Sequence, residues 1–199
     1  METRNLSPQA MFLALAREHR PECAFNGTDR AAFNEWKVAT WPRVRECLGR
    51  FPDKTPPRPE REAVWEHDGI RKERWMIDVQ PHLSAVLQIN FPGDMTSGER
   101  RPAILAWHGH GPFGKEPVMG NDASAELRHA IQQHNYAYGH VMAKAGFITY
   151  GIDWIGCGER NDSRKPNHNH AAGSRDWCNL YYLHATMLGM TSLSIRSPT

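Results

Sequence analysis

The sequence predicts an α/β architecture: N-terminal helices, then an antiparallel strand meander, then a parallel strand–helix–strand core. Three observations carry this. Helix signals fill the first 50 residues. Apolar residues alternate with a period of two between residues 61 and 91. Two almost wholly apolar runs, 103–107 and 147–153, then flank a helical stretch. A strand, a crossover helix and a second strand in one sheet make a parallel, right-handed unit.

At the N-terminus, Ser7-Pro8 reads as a helix cap with proline at the first helical position, leading into QAMFLALAREH. A second helical region starts at Thr28-Asp29 and places Phe33, Trp36, Trp41, Val44 and Leu48 at helical spacing, with Gly49 beyond its end. Pro42 lies inside it and predicts a kink or break near Thr40, because proline lacks the amide donor and its ring crowds the preceding turn. The aromatic stripe is expected to pack on the rest of the protein. Four prolines in FPDKTPPRPE, residues 51–60, favour an extended crossing segment over a helix. The expected organisation is a helical extension over 1–50, this crossing over 51–60, and one α/β domain over 61–199.

Within that domain, REAVWEHDGIRKERWMIDV reads as two strands joined at His67-Asp68-Gly69, with Trp75, Ile77 and Val79 on one face. SAVLQINF sets Ala85, Leu87, Ile89 and Phe91 on one face against Ser84, Val86, Gln88 and Asn90 on the other, and a Pro92-Gly93-Asp94 turn closes the meander. Residues 103–107 have the composition of a strand buried on both faces. A helix fits 135–145, NYAYGHVMAKA, with Gly146 beyond its C-terminus, and FITYGID, 147–153, is the next buried strand.

Bulk properties narrow the function. With 199 residues, 40% hydrophobic and 23% charged, the chain suits an ordinary globular domain. A formal charge of +2 and the lack of a basic stripe with interleaved aromatics argue against nucleic acid as a partner. Ala10 to Ala16, the longest apolar stretch near the N-terminus, is too short to span a bilayer and too soon followed by Arg17, Glu18 and Arg20 for a signal peptide. Cys23, Cys47, Cys157 and Cys178 form no C-x-x-C pair and read as thiols of a reducing, cytoplasmic compartment.

The chemistry concentrates in AILAWHGHGPFGK, residues 103–115, where a strand opens into glycines, two histidines and a lysine. A P-loop needs Ser or Thr after its lysine, but Glu116 stands there, followed by Pro117. The spacing Gly109-x-Gly111-x-x-Gly114 fits a dinucleotide fingerprint, yet Pro112 and Pro117 interrupt the helix that fingerprint requires. His108-x-His110 could open a metal site, with His168 and His170 completing it, although eleven histidines make chance pairs common. A glycine pair at a strand end could instead aim a backbone N–H at a developing oxyanion, or could be a turn with no chemistry.

The order RPAILAWHGHGPFGK, then YGHVMAKAGFITYGIDWIGCGERND, then WCNLYYLHATMLGMTSLSIRS resembles the first half of an α/β-hydrolase of the dienelactone-hydrolase-like and acetyl-xylan-esterase-like branches. Gly156, Gly158, Glu159 and Arg160 match a loop that follows the second parallel strand there, and the helical extension with its Pro-rich crossing is also similar. The resemblance implies a serine hydrolase that cleaves small acyl esters with a Ser-His-Asp triad and no cofactor. It makes the His110 N–H one oxyanion donor, carried by a loop that Gly109 and Gly111 support, and makes Asp153 and the loop after it supports beside the pocket rather than triad members.

One departure is large. That triad needs a Gly-x-Ser-x-Gly elbow, then an acid, then a histidine, and no Gly-x-Ser-x-Gly occurs here. Ser174 directly follows Gly173 but lacks the second glycine and a preceding strand, and Ser192 and Ser194 lack both flanking glycines. Ser197-Pro198-Thr199 repeats a helix-start signal with no helix after it, so the expectation is a chain that stops before the nucleophile elbow, with nucleophile, acid and base outside it. The strand at 103–107 should then be an unpaired apolar edge through which the chain self-associates. Two alternatives stand beside this reading: a non-catalytic binding module, and a metal-dependent hydrolase using His108 and His110.

Overall fold

The structure, a computed structural model, describes residues 6–162 and 177–194. It divides into two compact units, Met1–Cys47 and Leu48–Thr199. In the first, α1 (Pro8–Glu18) begins where the Ser7 hydroxyl accepts the Ala10 amide at 3.2 Å. Helix α2 (Arg30–Leu48) begins where the Asp29 carboxylate accepts the Ala32 amide at 2.8 Å. Contrary to the predicted break, α2 runs through Pro42 as one element. Val38, whose carbonyl loses its helical partner to that proline, is exposed, so water can take the amide's place. Phe25, Phe33 and Trp36 stack on one another at 5.4–5.7 Å between ring centroids, while Trp41 and Val44 stay exposed.

The second unit is built on a five-stranded sheet of order β1-β2-β3-β5-β4. Strands β1 (Glu60–His67), β2 (Ile70–Gln80) and β3 (Leu83–Phe91) form the expected antiparallel meander. At its first corner Asp68 and Gly69 both take positive φ, 52° and 73°, as a tight two-residue turn requires. Strand β5 (Ile148–Ile152) pairs antiparallel with β3 and parallel with β4 (Ala103–Leu105). The predicted parallel unit is therefore present, with α3 (Lys115–Val118), α4 (Ala125–His134) and α5 (Tyr138–Lys144) in the crossover. Helix α6 (Trp177–Met187) follows the sheet.

Three local expectations change. The helix predicted over 135–145 starts later, because Asn135 adopts φ 48° and ends the preceding α4, which the sequence did not reveal. Residues 103–107 are not buried on both faces. Strand β4 ends the sheet, no described strand pairs with its outer edge, and Leu105 and Trp107 are each 42% exposed. On β3 the polar face is the buried one: Gln88 and Asn90 are buried, whereas Leu87, Ile89 and Phe91 are half-buried.

That inversion has a cause on the neighbouring strand. Lys72 of β2 is buried and donates to the Asn90 carboxamide oxygen at 3.0 Å and to the Met119 carbonyl at 2.5 Å. Asn90 Nδ2 donates to the same carbonyl at 3.2 Å. The ammonium is solvated by amide oxygens alone, and burial pulls its pKa from 10.5 down to about 8. A folded pKa below the unfolded one means that the unfolded chain holds the extra proton between those values. Stability should therefore rise as pH climbs from about 8 to 10.5. Urea denaturation across that range should show the rise, and Lys72→Met should flatten it. Replacing Asn90 by Leu, which strips the ammonium of one acceptor, should destabilise the fold by about 1–3 kcal/mol.

Candidate active site

Parallel pairing places the ends of β4 and β5 at the same edge of the sheet, so the loops that leave them, 106–114 and 153–158, emerge side by side. The Ala106 amide still donates to the Tyr150 carbonyl at 2.8 Å, after which the first chain turns away. His108, buried, ties the two loops together. Its Nε2 accepts the Trp154 amide at 2.9 Å, which leaves the ring proton on Nδ1 to donate to the Gly109 carbonyl at 2.7 Å. Both ring nitrogens are thereby engaged, so His108 is a loop brace and not a metal ligand. Among the described residues no three His, Cys, Asp or Glu side chains are grouped as a metal site would need. His168, His170 and Ser174 lie outside the described residues. Ser194 is buried and bonded to Thr191, accepting its amide at 2.9 Å and donating to its carbonyl at 3.0 Å.

Below the loops lies a buried charge cluster. Asp153, 1% exposed, accepts three hydrogen bonds on its carboxylate: the Lys115 amide at 2.7 Å, the Lys115 ammonium at 2.7 Å and the Glu159 amide at 3.1 Å. Lys115 Nζ, fully buried, also reaches Glu159 at 2.5 Å. Arg74 from β2 then grips Glu159 with both terminal nitrogens, at 2.9 and 2.6 Å, while its Nε donates to Glu62 at 2.8 Å. Arg160 donates to the Asp153 carbonyl at 3.0 Å. The tightness is steric as well as electrostatic. At Gly114 (φ 56°) a Cβ would come within 2.1 Å of the Asp153 carboxylate, and at Gly158 (φ 50°) within 2.5 Å. Glycine is required at both positions for conformation and for space.

Burial alone would raise the Glu159 carboxyl pKa, but the hydrogen bonds from Arg74 and Lys115 outweigh it and hold the group down at about 2. Burial opposes the Lys115 charge too, and the surrounding carboxylates of Asp153, Glu116 and Glu159 override it, raising its pKa.

Above the cluster, the turn at Gly109, His110 and Gly111 is open. Together with Phe113, His129 and Tyr136 it lines a cleft of about 870 Å³ between this loop and α4. A small apolar core of Ala106, Val118 and Met119 lies nearby, and Tyr136 and Tyr138 pack against it. Gly109 meets Tyr136 directly, its amide donating to the phenolic oxygen at 2.8 Å. Of these groups the sequence reading had named His108, His110, the glycines, Asp153, Glu159 and Arg160. It missed Arg74 and Tyr136, which lie far from the motif in the chain, and it weighed Lys115 only as a phosphate ligand.

Over residues 1–196 the chain matches the family described as the Abhydrolase family. It belongs to that family. The fold of this Abhydrolase chain agrees with a crystal structure of a Bacteroides fragilis protein provisionally described as an acetyl xylan esterase. The two share a TM-score of 0.71 at 23% sequence identity, over 96% of this chain and 47% of that one. The Abhydrolase chain thus spans about half the length of that protein. No match is found among curated proteins.

Two outcomes test the charge cluster. Asp153→Asn would leave the Lys115 ammonium buried without its main partner and should lower unfolding stability by about 3–5 kcal/mol in urea titrations. A folded pKa of about 2 for Glu159 against 4.5 unfolded places its stabilisation above pH 4.5, with loss as pH falls toward 2. Acid titration followed by circular dichroism should show that loss, and Glu159→Gln should reduce its steepness.

Proposed function

We propose that this chain supplies the oxyanion-stabilising side of a serine hydrolase site that cleaves small acyl esters. The observation that carries the reading is the open Gly109-His110-Gly111 turn, which lines the cleft and is anchored beneath by Lys115 and Asp153. When a nucleophile attacks an ester carbonyl, negative charge collects on the carbonyl oxygen. A donor held in place beforehand stabilises that charge without reorganising, and each such donor contributes on the order of 10²–10³ in rate. In α/β-hydrolases one donor comes from the loop that here joins β4 to α3, and the His110 N–H is the one proposed. Family membership and the fold shared with a protein described as an esterase support this reading.

No Gly-x-Ser-x-Gly motif occurs among the 199 residues, so on this reading the nucleophile, acid and base come from other polypeptide. The bare outer edge of β4, with Leu105 and Trp107 exposed beside it, supports a further element of the proposal. A strand must cover that edge, and in its absence the chain self-associates.

The 199-residue chain should therefore turn over no p-nitrophenyl acetate above the buffer rate. Turnover by a monomeric preparation that serine-directed reagents fail to block would sink the proposal. Light scattering should give a mass that grows with concentration, and Leu105→Lys at the open edge should reduce that growth.

A further inference from the structure

Two tyrosines enter the cleft region from the segment after α4, and their hydroxyls are used differently. Tyr138 donates its proton to the Trp107 carbonyl. Tyr136 instead accepts, taking the Gly109 amide at 2.8 Å, and among the described residues it donates to no acceptor. Its ring is well held. It meets Tyr138 edge-on at 5.9 Å and His134 at 6.2 Å, and it packs against the Ala106, Val118 and Met119 core. The Tyr136 amide donates to the Ile131 carbonyl at 3.1 Å, which anchors the backbone just past the left-handed Asn135.

The approach to Gly109 is close enough to need glycine. A Cβ at residue 109 would stand 2.8 Å from the Tyr136 oxygen, although the φ of Gly109 lies outside the left-handed region and would not by itself exclude alanine. This glycine is therefore set by the tyrosine, and the tyrosine by its contact with the turn.

We infer that the Tyr136 hydroxyl is a side-chain donor to the ligand oxygen in this cleft, acting beside the backbone of the Gly109-His110-Gly111 turn. The inference rests on the oxyanion reading above and adds a residue to it. Because its oxygen already accepts the Gly109 amide, the phenol has its proton left to give. A hydroxyl that accepts one hydrogen bond is polarised into a stronger donor for the next. The Gly109 amide, for its part, acts on the ligand through the phenol rather than directly. The ligand class is an oxygen bearing full or developing negative charge on an acyl carbon, as in a carboxylate or the tetrahedral adduct of an ester.

Acetate is the probe, added to the ¹⁵N-labelled 199-residue chain at pH 7 with sodium chloride at equal ionic strength as the reference. Saturable shifts of the Gly109, His110 and Gly111 amides are expected. Tyr136→Phe, which removes one oxygen and keeps the ring contacts, should weaken binding about tenfold or more. Gly109→Ala, which pushes the hydroxyl away, should weaken it similarly. Equal acetate affinity in wild type and Tyr136→Phe, with the turn amides still responding, would overturn the role of Tyr136 and leave the oxyanion site standing. If acetate moves none of the three amides in the wild-type chain, the oxyanion reading itself falls, and the tyrosine with it. Should Tyr136→Phe lose its dispersed spectrum, Gly109→Ala decides alone, and wild-type affinity there would overturn the inference.

Discussion

Lys115 and Asp153 meet in a space from which water is excluded, and the arrangement of both site loops follows from that contact. Neither charge is tolerable there without the other. The desolvation penalty is offset only because the carboxylate receives three donors and the ammonium reaches two carboxylates at 2.5–2.7 Å. One of those donors is the Lys115 backbone and another the Glu159 backbone, so the ion pair fastens main chain as well as side chains. Gly114 and Gly158 let the two loops close to within contact of Asp153. The turn at 109–111 is thus held from below by charge and from the side by His108.

The same sheet carries a second buried cation with a different solution. Lys72 is solvated by a carboxamide and a carbonyl, with no ion pair among the described residues, and its charge is correspondingly less secure than that of Lys115. Both lysines bear on α3: Lys115 starts the helix, and Lys72 bonds the carbonyl just after it. A four-residue helix has little stability of its own. Here it is pinned at one end by Asp153 and at the other by an ammonium on its terminal carbonyl, where a positive charge suits the helix dipole.

At its other margin no described strand pairs with the outer edge of β4. β4 is the strand from which the cleft loop springs, yet it presents an edge with exposed Leu105 and Trp107. Such an edge holds unpaired amides and carbonyls beside apolar side chains, a surface suited to accepting another strand. The proposed site and the open edge share β4, so whatever covers the edge would also lie next to the cleft.

Much of the fold was legible in the residues alone. Period-two alternation, the Asp68-Gly69 corner, the Ser7 cap and the apolar run at 147–153 are local signals, and each element formed near its expected place. The glycine-rich turn and the supporting loop with Asp153, Glu159 and Arg160 were readable through the family resemblance. Local signals failed where distant residues decided the outcome. Alternation placed Asn90 on the more polar face of its strand but could not show that Lys72, eighteen positions earlier, takes its oxygen there. Lys115 was weighed only for a phosphate-binding loop, which Glu116 and Pro117 argue against, and its pairing with Asp153 comes from the next strand. Residues 103–107 looked doubly buried because apolarity records what a strand can pack against, not which strands lie beside it. The sequence by itself determined the two N-terminal helices, the antiparallel meander and the two parallel strands, since those follow from spacing and backbone preference. Only the tertiary structure decided which charges are buried, which tyrosine meets the Gly109 amide and which strand lies at the margin of the described sheet, since those depend on partners the chain brings from far away.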